Sequence, residues 1–535
     1  MDAIPLVTGA QMAAIDRRAI NSGISGIELM ESAGQGVTSV AQSLLNGLAN
    51  RHIVVLCGKG NNGGDGFVLA RLAAQQGAFV HIFLFASLQD VQGDAKAHLE
   101  RIKHLPITCV LSQDILSSVY KALHQTDLII DALLGTGLNG PPRDLIAQAI
   151  DLLKEATSPI IAVDIPSGMH ADTGFGDCAR ATQTVTFACP RIAHFFYPGR
   201  ASCGHLYLVD IGIPPTAIRA ENGSLFLIDA QWASQALPNR QPDAHKGDNG
   251  RVFVLAGSVG LTGAAALSAT AALRTGSGLV TLGIPNSLND ILECKVTEAM
   301  TCPLPEVRKA RCLALRARGH IAPHLAKSDA VAIGPGLGTH KETITLVHRL
   351  IEDLKCPAVL DADALNAMIG HLDILKNCQM PLVLTPHVGE FARLTGQSIL
   401  EVRQNPIESA KALAQHVGHT VILKGAPTLV AQSDGCVYVN PTGNATMATG
   451  GTGDVLTGII ASLIGQGLTP SNAAQLGVYI HGLAGDWVAT HQGQHGLIAS
   501  DMVQALPEAF KATAQGQHPN PYVTQINTSK QHQRQ

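Results

Sequence analysis

Between Ile53 and Ile213, short apolar runs alternate with longer stretches in which apolar residues recur every three or four positions. The longer stretches have the period of amphipathic helices, and the short runs that they separate have the length of buried strands. Strands alternating with helices predict βαβ units, in which a parallel sheet is covered by helices on both faces. The predicted strands are Ile53–Cys57, Phe79–Phe85, Leu128–Ile130, Ile160–Val163, Thr184–Ala188 and Leu206–Val209, and the helices between them include Phe67–Gln76 and Leu145–Lys154.

The pattern is interrupted across residues 212–248 and then starts again. This interval contains four prolines and a polar run, which predicts a domain boundary. The second series of predicted elements comprises the strands Leu225–Ile228, Arg251–Leu255, Leu279–Ile284, Ala330–Ile333, Ala358–Leu360, Leu382–Leu384 and Val421–Leu423 and the helices Ala264–Thr275 and Asp454–Ile464. We therefore predict an α/β protein with two domains, 1–220 and 225–512, followed by a polar tail, 513–535, that we expect to be disordered.

Composition and charge exclude several classes of protein. A chain of 535 residues with 46% hydrophobic and 15% charged residues has the composition of a globular protein. Its net charge of −4 gives no electrostatic reason to expect nucleic acid or an anionic membrane as a partner. The 11 cysteines form no C-x-x-C pair, which predicts free thiols in a reducing compartment. The chain shows neither a signal-peptide pattern nor a long uncharged apolar window, so we expect a cytoplasmic protein that acts on small molecules, as a homo-oligomer.

A glycine-rich stretch, GKGNNGGDG, directly follows the first predicted strand. Backbone N–H groups between a strand and a helix form a cradle for anions such as phosphate. The spacing Gly58-x-Gly60-x-x-Gly63 is that of a dinucleotide-binding loop, but such a site needs an acidic residue after the second strand. The chain has Ala86-Ser87-Leu88 there, which argues against hydride transfer. The loop favours a nucleotide bound for other chemistry, with a purely structural turn as the alternative.

Two further strand ends of the first domain carry oxygen ligands. Asp131 ends one strand and is followed by a second glycine loop, and Asp164 and Ser167 follow the next strand. The carboxyl ends of parallel strands meet at the ligand crevice of such a sheet. Each aspartate alone is also compatible with a helix cap, but three such strand ends on one sheet favour a ligand site.

Three motifs of the first domain, NNGGDG, DALLGTGLNGP and DIPSG, resemble those of NAD(P)H-hydrate epimerases over about residues 5–215. The resemblance implies a Rossmann-like three-layer α/β/α domain that binds a damaged nicotinamide nucleotide as its substrate. It implies that Asp164 is the catalytic carboxylate and contacts the substrate, and that Asn62, Asp131 and Ser167 bind K⁺, a hard cation suited to oxygen ligands. The other implied substrate contacts are Asn61, Asn62, Gly63, Gly64, Asp65, Gly135, Thr136, Gly137, Leu138, Asn139, Gly140 and Pro141.

The most specific motif of the second domain is NATMATGGTGDVLTG, residues 444–458. Three glycines before a helix form an anion hole, and Asp454 can take a proton from a substrate hydroxyl during phosphoryl transfer. The alternative is a helix capped by Asp454 after a glycine turn. The motifs AIGPGLG, VLDADAL, LTPHVGEF and LKGAPTLV lie at further strand ends, where His387 is either a core residue or a crevice residue.

These motifs are similar to those of ADP-dependent NAD(P)H-hydrate dehydratases, which have a ribokinase-like α/β fold, over about residues 225–510. The resemblance implies Mg²⁺ bound with ADP. One departure is visible, because the family often has Tyr-Pro where this chain has Leu261-Thr262, which affects contacts to a ring or base. The implied substrate contacts are Ala264, Gly338, His387 and Asp454, the last also catalytic, and the implied nucleotide contacts are Lys424, Gly425, Ala426, Pro427, Thr428 and Gly453.

Together the two halves resemble the bifunctional NAD(P)H-hydrate repair enzymes. The resemblance implies that one domain interconverts the two epimers of hydrated NADH or NADPH at C6. The other domain would convert ADP to AMP and phosphate while it eliminates the C6 hydroxyl of the S epimer. Two alternatives stay open on the sequence: a vitamin-alcohol kinase of the ribokinase-like class with a regulatory nucleotide-binding domain, and a binding protein without catalytic activity.

Overall fold

Each half of the chain folds into its own α/β unit in the computed structural model, which describes residues 4–137, 140–221, 223–518 and 522–527. The N-terminal unit contains Pro5–Gly223 together with the C-terminal strand of the chain. The C-terminal unit begins at Ser224 and contains the remaining described residues.

The six predicted strands of the N-terminal half start and end within about two residues of the observed ones. The elements of this half are β1 (Ile4–Pro5), α1 (Gly9–Asn21), α2 (Gly26–Leu45), β2 (His52–Cys57), α3 (Asn61–Gln75), β3 (Phe79–Leu84), α4 (Gly93–Glu100), β4 (Ile107–Cys109), α5 (Leu116–Leu123), β5 (Leu128–Ala132), α6 (Asp144–Glu155), β6 (Ile160–Val163), β7 (Gln183–Phe187), α7 (Arg200–Cys203), β8 (His205–Asp210) and α8 (Pro215–Glu221). In contrast to the strands, α3 begins at Asn61, well before the predicted Phe67, and β1 and β4 were not predicted.

The C-terminal half contains more short elements than its apolar pattern predicts. They are β9 (Leu225–Leu227), α9 (Ala230–Ala236), β10 (Arg251–Leu255), α10 (Thr262–Thr275), β11 (Leu279–Pro285), α11 (Asn289–Lys295), β12 (Met300–Leu304), β13 (Glu306–Val307), β14 (Cys312–Leu313), α12 (Arg318–Leu325), β15 (Ala330–Ile333), α13 (Lys341–Asp353), β16 (Ala358–Leu360), α14 (Asp363–Ala367), α15 (Leu372–Asn377), β17 (Leu382–Leu384), α16 (Val388–Thr395), α17 (Ile399–Gln404), α18 (Pro406–Val417), β18 (Thr420–Leu423), β19 (Leu429–Ala431), β20 (Val437–Val439), α19 (Thr452–Gly465), α20 (Pro470–Gln492), α21 (Ala499–Ala514) and β21 (Val523–Asn527).

The sheet of the N-terminal unit is parallel and has the strand order β21-β8-β7-β6-β5-β2-β3-β4. Neighbouring residues of β2 point to opposite faces. Val55 packs with Val37 of α2 and Phe67 of α3, whereas Leu56 packs with the apolar residues of α5 and α6. Since strand residues alternate between faces and both faces are covered by helices, the predicted three-layer α/β/α arrangement is confirmed.

The sheet of the C-terminal unit contains the strand order β9-β20-β19-β18-β17-β16-β15-β10-β11-β12. It is parallel from β12 to β18, and β19 runs antiparallel to both of its neighbours. Val252 and Val254 pack against α10 and α19, and the alternate residues Phe253 and Leu255 are also buried. The α/β prediction is therefore confirmed for this unit as well.

The described parts of the predicted disordered tail, residues 513–518 and 522–527, contain regular structure that its polar composition did not predict. Thr513 is buried in α21, and β21 lies parallel to β8 with Val523 opposite Leu206. Composition describes side chains, whereas an added strand is held mainly by backbone hydrogen bonds to an open sheet edge. Within the described ranges, no helix has both the length and the apolar character required to cross a membrane.

Candidate active sites

A cavity of about 780 Å³ opens at the carboxyl ends of the strands in the N-terminal unit. Its walls come from the loops that follow β2, β5, β6 and β7 and from α1 and α2. Of the residues predicted for this site, it is lined by Asn61, Asn62, Asp65, Gly135, Thr136, Gly137 and Asp164. Gly63, Gly64, Gly140 and Pro141 are not among its lining residues, and Leu138 and Asn139 lie outside the described residues.

The glycine loop after β2 leads directly into α3, which begins at Asn61 without a side-chain cap. A β-carbon on Gly58 would lie 2.1 Å from the carbonyl oxygen of Leu133, and one on Gly63 would lie 2.0 Å from that of Gly58. Only glycine permits this close packing of backbone. The first N–H groups of α3 therefore remain free of side-chain partners at the cavity wall, where the helix dipole favours an anion.

Asp164 is held in an unusual backbone conformation beside the cavity. Its φ is +65°, in the left-handed region that residues other than glycine rarely adopt. Thr186 Oγ1 and Arg191 Nη2 each donate a hydrogen bond to Asp164 Oδ1 at 2.9 Å. Oδ2 receives no hydrogen bond from the residues that the structure describes. Strain of this kind persists where surrounding bonds enforce it and is concentrated at functional sites, so the geometry supports a functional Asp164.

A buried histidine supports the backbone of Asp164. His194 Nε2 lies 3.0 Å from the carbonyl oxygen of Asp164, and His194 Nδ1 accepts a hydrogen bond from the backbone N–H of Arg191 at 3.1 Å. Burial and then the charge of Arg191 lower the pKa of His194 to about 4. His194 is therefore neutral, with the proton on Nε2. Its two hydrogen bonds fix the backbone of Asp164 relative to that of Arg191.

Two residues of this cavity, Asp16 and Arg191, were missed by the sequence analysis. Arg191 is only 2% exposed and pairs with Asp164. Asp16 lies in α1, where Met12, Ile15 and Ala19 form the buried stripe. Asp16 follows the buried Met12 by four positions and therefore lies on the same side of the helix, and this spacing could have identified it from the sequence.

The predicted potassium residues are partly brought together. Ser167 Oγ and Ser167 N donate hydrogen bonds to Asp131 at 2.5 and 2.8 Å, and Leu134 N donates to Ser167 Oγ at 2.9 Å. Asn62 lies beside the same loop, because a β-carbon on Gly135 would be 3.4 Å from Asn62 Oδ1. Asn62 Nδ2 is buried and has no hydrogen-bond partner in the described parts of the chain. Burial raises the pKa of Asp131, and the hydrogen bonds from Ser167 counteract this in part.

The second candidate site surrounds the start of α19 in the C-terminal unit. The helix begins at Thr452, and its N-cap is Gly451, which has a φ of +94°. Asp454 is thus the third residue of the helix, and the alternative in which it caps the helix does not hold. Burial and the negative charge of Asp361 raise the pKa of Asp454 to about 7, although Lys424 opposes the shift. Asp454 therefore titrates near neutral pH, which suits a general base.

An ion pair that the sequence analysis missed lies beside Asp454. Lys424 Nζ is 2.8 Å from Asp361 Oδ1, and Thr457 Oγ1 donates a hydrogen bond to Asp361 Oδ2 at 2.7 Å. Burial lowers the pKa of Lys424, but the charges of Asp361 and Glu390 outweigh burial and raise it. A β-carbon on Gly453 would be 3.1 Å from Lys424 Nζ, so these two predicted nucleotide contacts are neighbours.

The remaining predicted residues lie in the loops around this centre. Gly338 N donates a hydrogen bond to Asp363 Oδ2 at 2.8 Å, and Ala264 lies close to the same loop at Gly336. Thr428 Oγ1 donates to Gly425 O at 3.1 Å, which closes the turn that contains Ala426 and Pro427.

His387 lies at the surface rather than in the core. It is the N-cap of α16, and its side chain is 55% exposed. The core interpretation is thus excluded. Its backbone pairs with that of Lys424, which places the two predicted residues on neighbouring strand ends.

Comparison with known proteins divides the chain in the same way. A family profile described as YjeF-related protein N-terminus matches residues 26–193, and one described as NAD(P)H-hydrate dehydratase matches residues 252–508.

Relatives match nearly the whole chain. The bifunctional NAD(P)H-hydrate repair enzyme of Moorella thermoacetica is 45% identical over 512 residues, which cover 95% of this chain and 96% of that protein. The enzyme of the same name from Escherichia coli is 36% identical and covers 90% of this chain and 89% of its own. A solved structure of the ADP/ATP-dependent NAD(P)H-hydrate dehydratase from Bacillus subtilis, co-crystallised with ATP and Mg²⁺, is 30% identical with a TM-score of 0.47 and covers 54% of this chain and 98% of its own.

Proposed function

The chain belongs to the family of bifunctional NAD(P)H-hydrate repair enzymes, and we propose that its N-terminal unit epimerises hydrated NADH and NADPH while its C-terminal unit dehydrates the S epimer. This division of labour rests on one observation: each unit has its own carboxylate at the carboxyl-terminal edge of its sheet. Asp164 lines the cavity of the first, and Asp454 follows the glycine turn of the second. Relatedness over almost the whole chain favours repair over the vitamin-alcohol kinase.

We assign binding of the hydrated nucleotide to the cavity of the N-terminal unit. Its volume of about 780 Å³ is in the range of small-molecule sites. The uncapped start of α3 supports binding of a phosphate group there. Asp164 Oδ1 is fully engaged by Thr186 and Arg191, which leaves Oδ2 to exchange a proton with the substrate.

A potassium ion fits the residues predicted to hold it. Asp131 and Ser167 supply oxygens. Rotation of the Asn62 amide by 180° would place its oxygen where Nδ2, which has no hydrogen-bond partner among the described residues, now lies. When bound, K⁺ would balance the buried charge of Asp131 and order the loop from Leu133 to Gly137. Rubidium or caesium in crystals with substrate should give an anomalous peak between Asn62, Asp131 and Ser167, and an empty difference map there would contradict the site.

In the C-terminal unit, Asp454 accepts the proton of the C6 hydroxyl as that oxygen attacks the terminal phosphorus of ADP. The N–H groups of residues 450–453 face the transferred phosphoryl group, and AMP leaves. The C6–O bond then breaks with loss of phosphate, and a proton passes from C5 to water, which restores the dihydropyridine ring. Among the described residues no group of three His, Cys, Asp or Glu side chains forms a metal cage. Mg²⁺ would therefore be held mainly by the nucleotide phosphates, with one or two carboxylates beside Asp454, and would neutralise the phosphate charge.

One assay tests the whole proposal. The full chain is mixed with a mixture of the two epimers of hydrated NADH and with ADP, and the absorbance of reduced nicotinamide is followed together with AMP and phosphate. Complete recovery of NADH from both epimers is expected, because the N-terminal unit supplies the S epimer. A stable phosphorylated alcohol without NADH would instead establish a kinase.

We also propose that the protein acts in the cytoplasm. All 11 cysteines are free thiols, which supports a reducing compartment. Light scattering after size exclusion tests the predicted homo-oligomer.

A further inference from the structure

We propose that Asp16 is a second catalytic residue of the epimerase cavity and donates the proton that releases the C6 hydroxyl, while Asp164 accepts the proton of the incoming water. This inference rests on the proposed epimerisation in the N-terminal unit. It adds a residue that lies outside the three glycine and aspartate motifs of the sequence.

The placement of Asp16 indicates a role toward a ligand. Met12, Asp16 and Ile20 of α1 all line the cavity, one helical turn apart. No hydrogen bond or ion pair holds the Asp16 carboxyl within the part of the chain that the structure describes. A partly buried carboxyl without a hydrogen-bond partner lowers the stability of the folded state. Because no contact in the described residues offsets this cost, a structural role does not explain Asp16, whereas contact with a ligand does.

The two carboxyls have different electrostatic surroundings. Asp164 is paired directly with the Arg191 guanidinium, whereas no cation is paired with the Asp16 carboxyl in the described parts of the chain. Burial raises the pKa of Asp16 to about 6, with Asp164 adding to the shift and Arg191 and Arg17 opposing it. The nearby Asp65 has a raised pKa as well, because of burial and then Asp164 and Asp16. A pair of carboxyls whose environments differ in this way divides into an acid and a base.

The reaction balances with water as the only co-reactant. Asp16 gives its proton to the C6 hydroxyl, the C6–O bond breaks, and water leaves as the N1 lone pair forms an N1=C6 double bond. A second water attacks C6 on the other face, its proton passes to Asp164, and the π electrons return to N1. The product is the opposite epimer, with Asp16 ionised and Asp164 protonated. Proton exchange with water then returns both carboxyls to their starting states for the next turnover in the same direction. The reverse conversion uses the same residues with their roles exchanged.

The test uses the full chain carrying Asp16→Asn, with each purified epimer of hydrated NADH and no ADP. Interconversion followed by chromatography should fall about 10²–10⁴-fold in kcat, with KM little changed, because an amide cannot donate this proton. Dehydration of the S epimer with ADP should stay at the wild-type rate. Asn21→Ala, an exposed position at the end of the same helix that does not line the cavity, is the control and should retain epimerisation.

The pH profile separates a proton donor from a structural residue. In the direction in which Asp16 is the proton donor, wild-type kcat should fall on the alkaline side as Asp16 loses its proton. Asp16→Glu should restore part of the rate with this limb displaced. If the wild-type chain epimerises and Asp16→Asn is unimpaired, the role of Asp16 is wrong but the proposed function stands. The same conclusion follows if the alkaline limb of Asp16→Glu stays where it is in the wild type. A wild-type chain that does not interconvert the epimers would overturn the proposed function itself.

Discussion

Asp164 and Asp454 lie in matching places of their units, but their surroundings prepare them for different tasks. Asp164 receives two hydrogen bonds on one oxygen, one of them from a buried guanidinium. The carboxylate of Asp454 receives none from the described residues, because the nearest cation, Lys424, is bound to Asp361. The neighbours of an aspartate at the end of a sheet therefore decide its chemistry: Asp164 is paired with a guanidinium, whereas burial and Asp361 raise the pKa of Asp454 to about 7.

The largest expected effect comes from Asp454→Asn. An amide cannot accept the proton of the C6 hydroxyl, so dehydration of the S epimer should fall by at least 10²–10⁴-fold while epimerisation continues. NADH recovery and epimer interconversion are measured separately on the same preparation. Asp373→Asn, on the exposed surface of α15, is the control. Parallel loss of both activities in a folded variant would contradict the separation of the two sites.

Asp164→Asn is expected to impair epimerisation and to leave dehydration intact, the reverse of Asp454→Asn. Epimerisation should be lost or fall by about 10²–10⁴-fold, and dehydration of purified S epimer should be unchanged. Chromatography of the epimers without ADP gives the first rate, and NADH absorbance with ADP gives the second. The exposed Asp177→Asn serves as the control. The assignment fails if the asparagine variant still interconverts the epimers at the wild-type rate.

Lys424→Met should change the pH dependence of dehydration, because Lys424 affects the pKa of Asp454. Asp454 must be ionised to act as a base, so dehydration falls as pH drops through its pKa of about 7. Lys424 lowers that pKa, and its removal should therefore move the acid limb of the pH profile to higher pH. A loss of about 10–100-fold in kcat is expected from breaking a buried charged hydrogen bond.

A double-variant cycle with Asp361→Asn tests whether the ion pair acts as a unit. Lys411→Met on α18 is the matched control, with an unchanged profile expected. An acid limb that stays in place in Lys424→Met would show that Lys424 does not tune Asp454.

The smallest effect concerns the C-terminal strand. Tyr522 donates a hydrogen bond from its hydroxyl to the carbonyl oxygen of His194, and its ring lies 4.3 Å below the Arg200 guanidinium. Tyr522→Phe should lower the stability of the N-terminal unit by about 1 kcal/mol, measured by calorimetry, and Gln525→Ala should not. Ending the chain after His518 should cost more and should reduce epimerisation before dehydration. Equal melting of all variants would show that β21 contributes nothing.

Regular elements and strand-end aspartates followed directly from the sequence. Buried parallel strands are continuous apolar runs, so β2, β5 and β6 were recognisable from local pattern, as were Asp131 near the end of β5 and Asp164 directly after β6. The short strands β19 and β20 were missed, because they follow β18 without intervening helices and so lie outside the strand–helix alternation from which the other strands were predicted.

The sequence by itself determined the two α/β units, the glycine turns and the aspartates that follow them, because these depend on neighbours within a few residues. Only the tertiary structure decided which charges meet. Asp16 and Arg191 approach Asp164 from elements far apart in the chain, Asp361 binds Lys424, and β21 joins the sheet of the other half of the sequence. A pKa depends on burial and on charges within a few ångströms, and a sheet edge accepts any backbone of suitable shape. Neither property is encoded at one position of the chain.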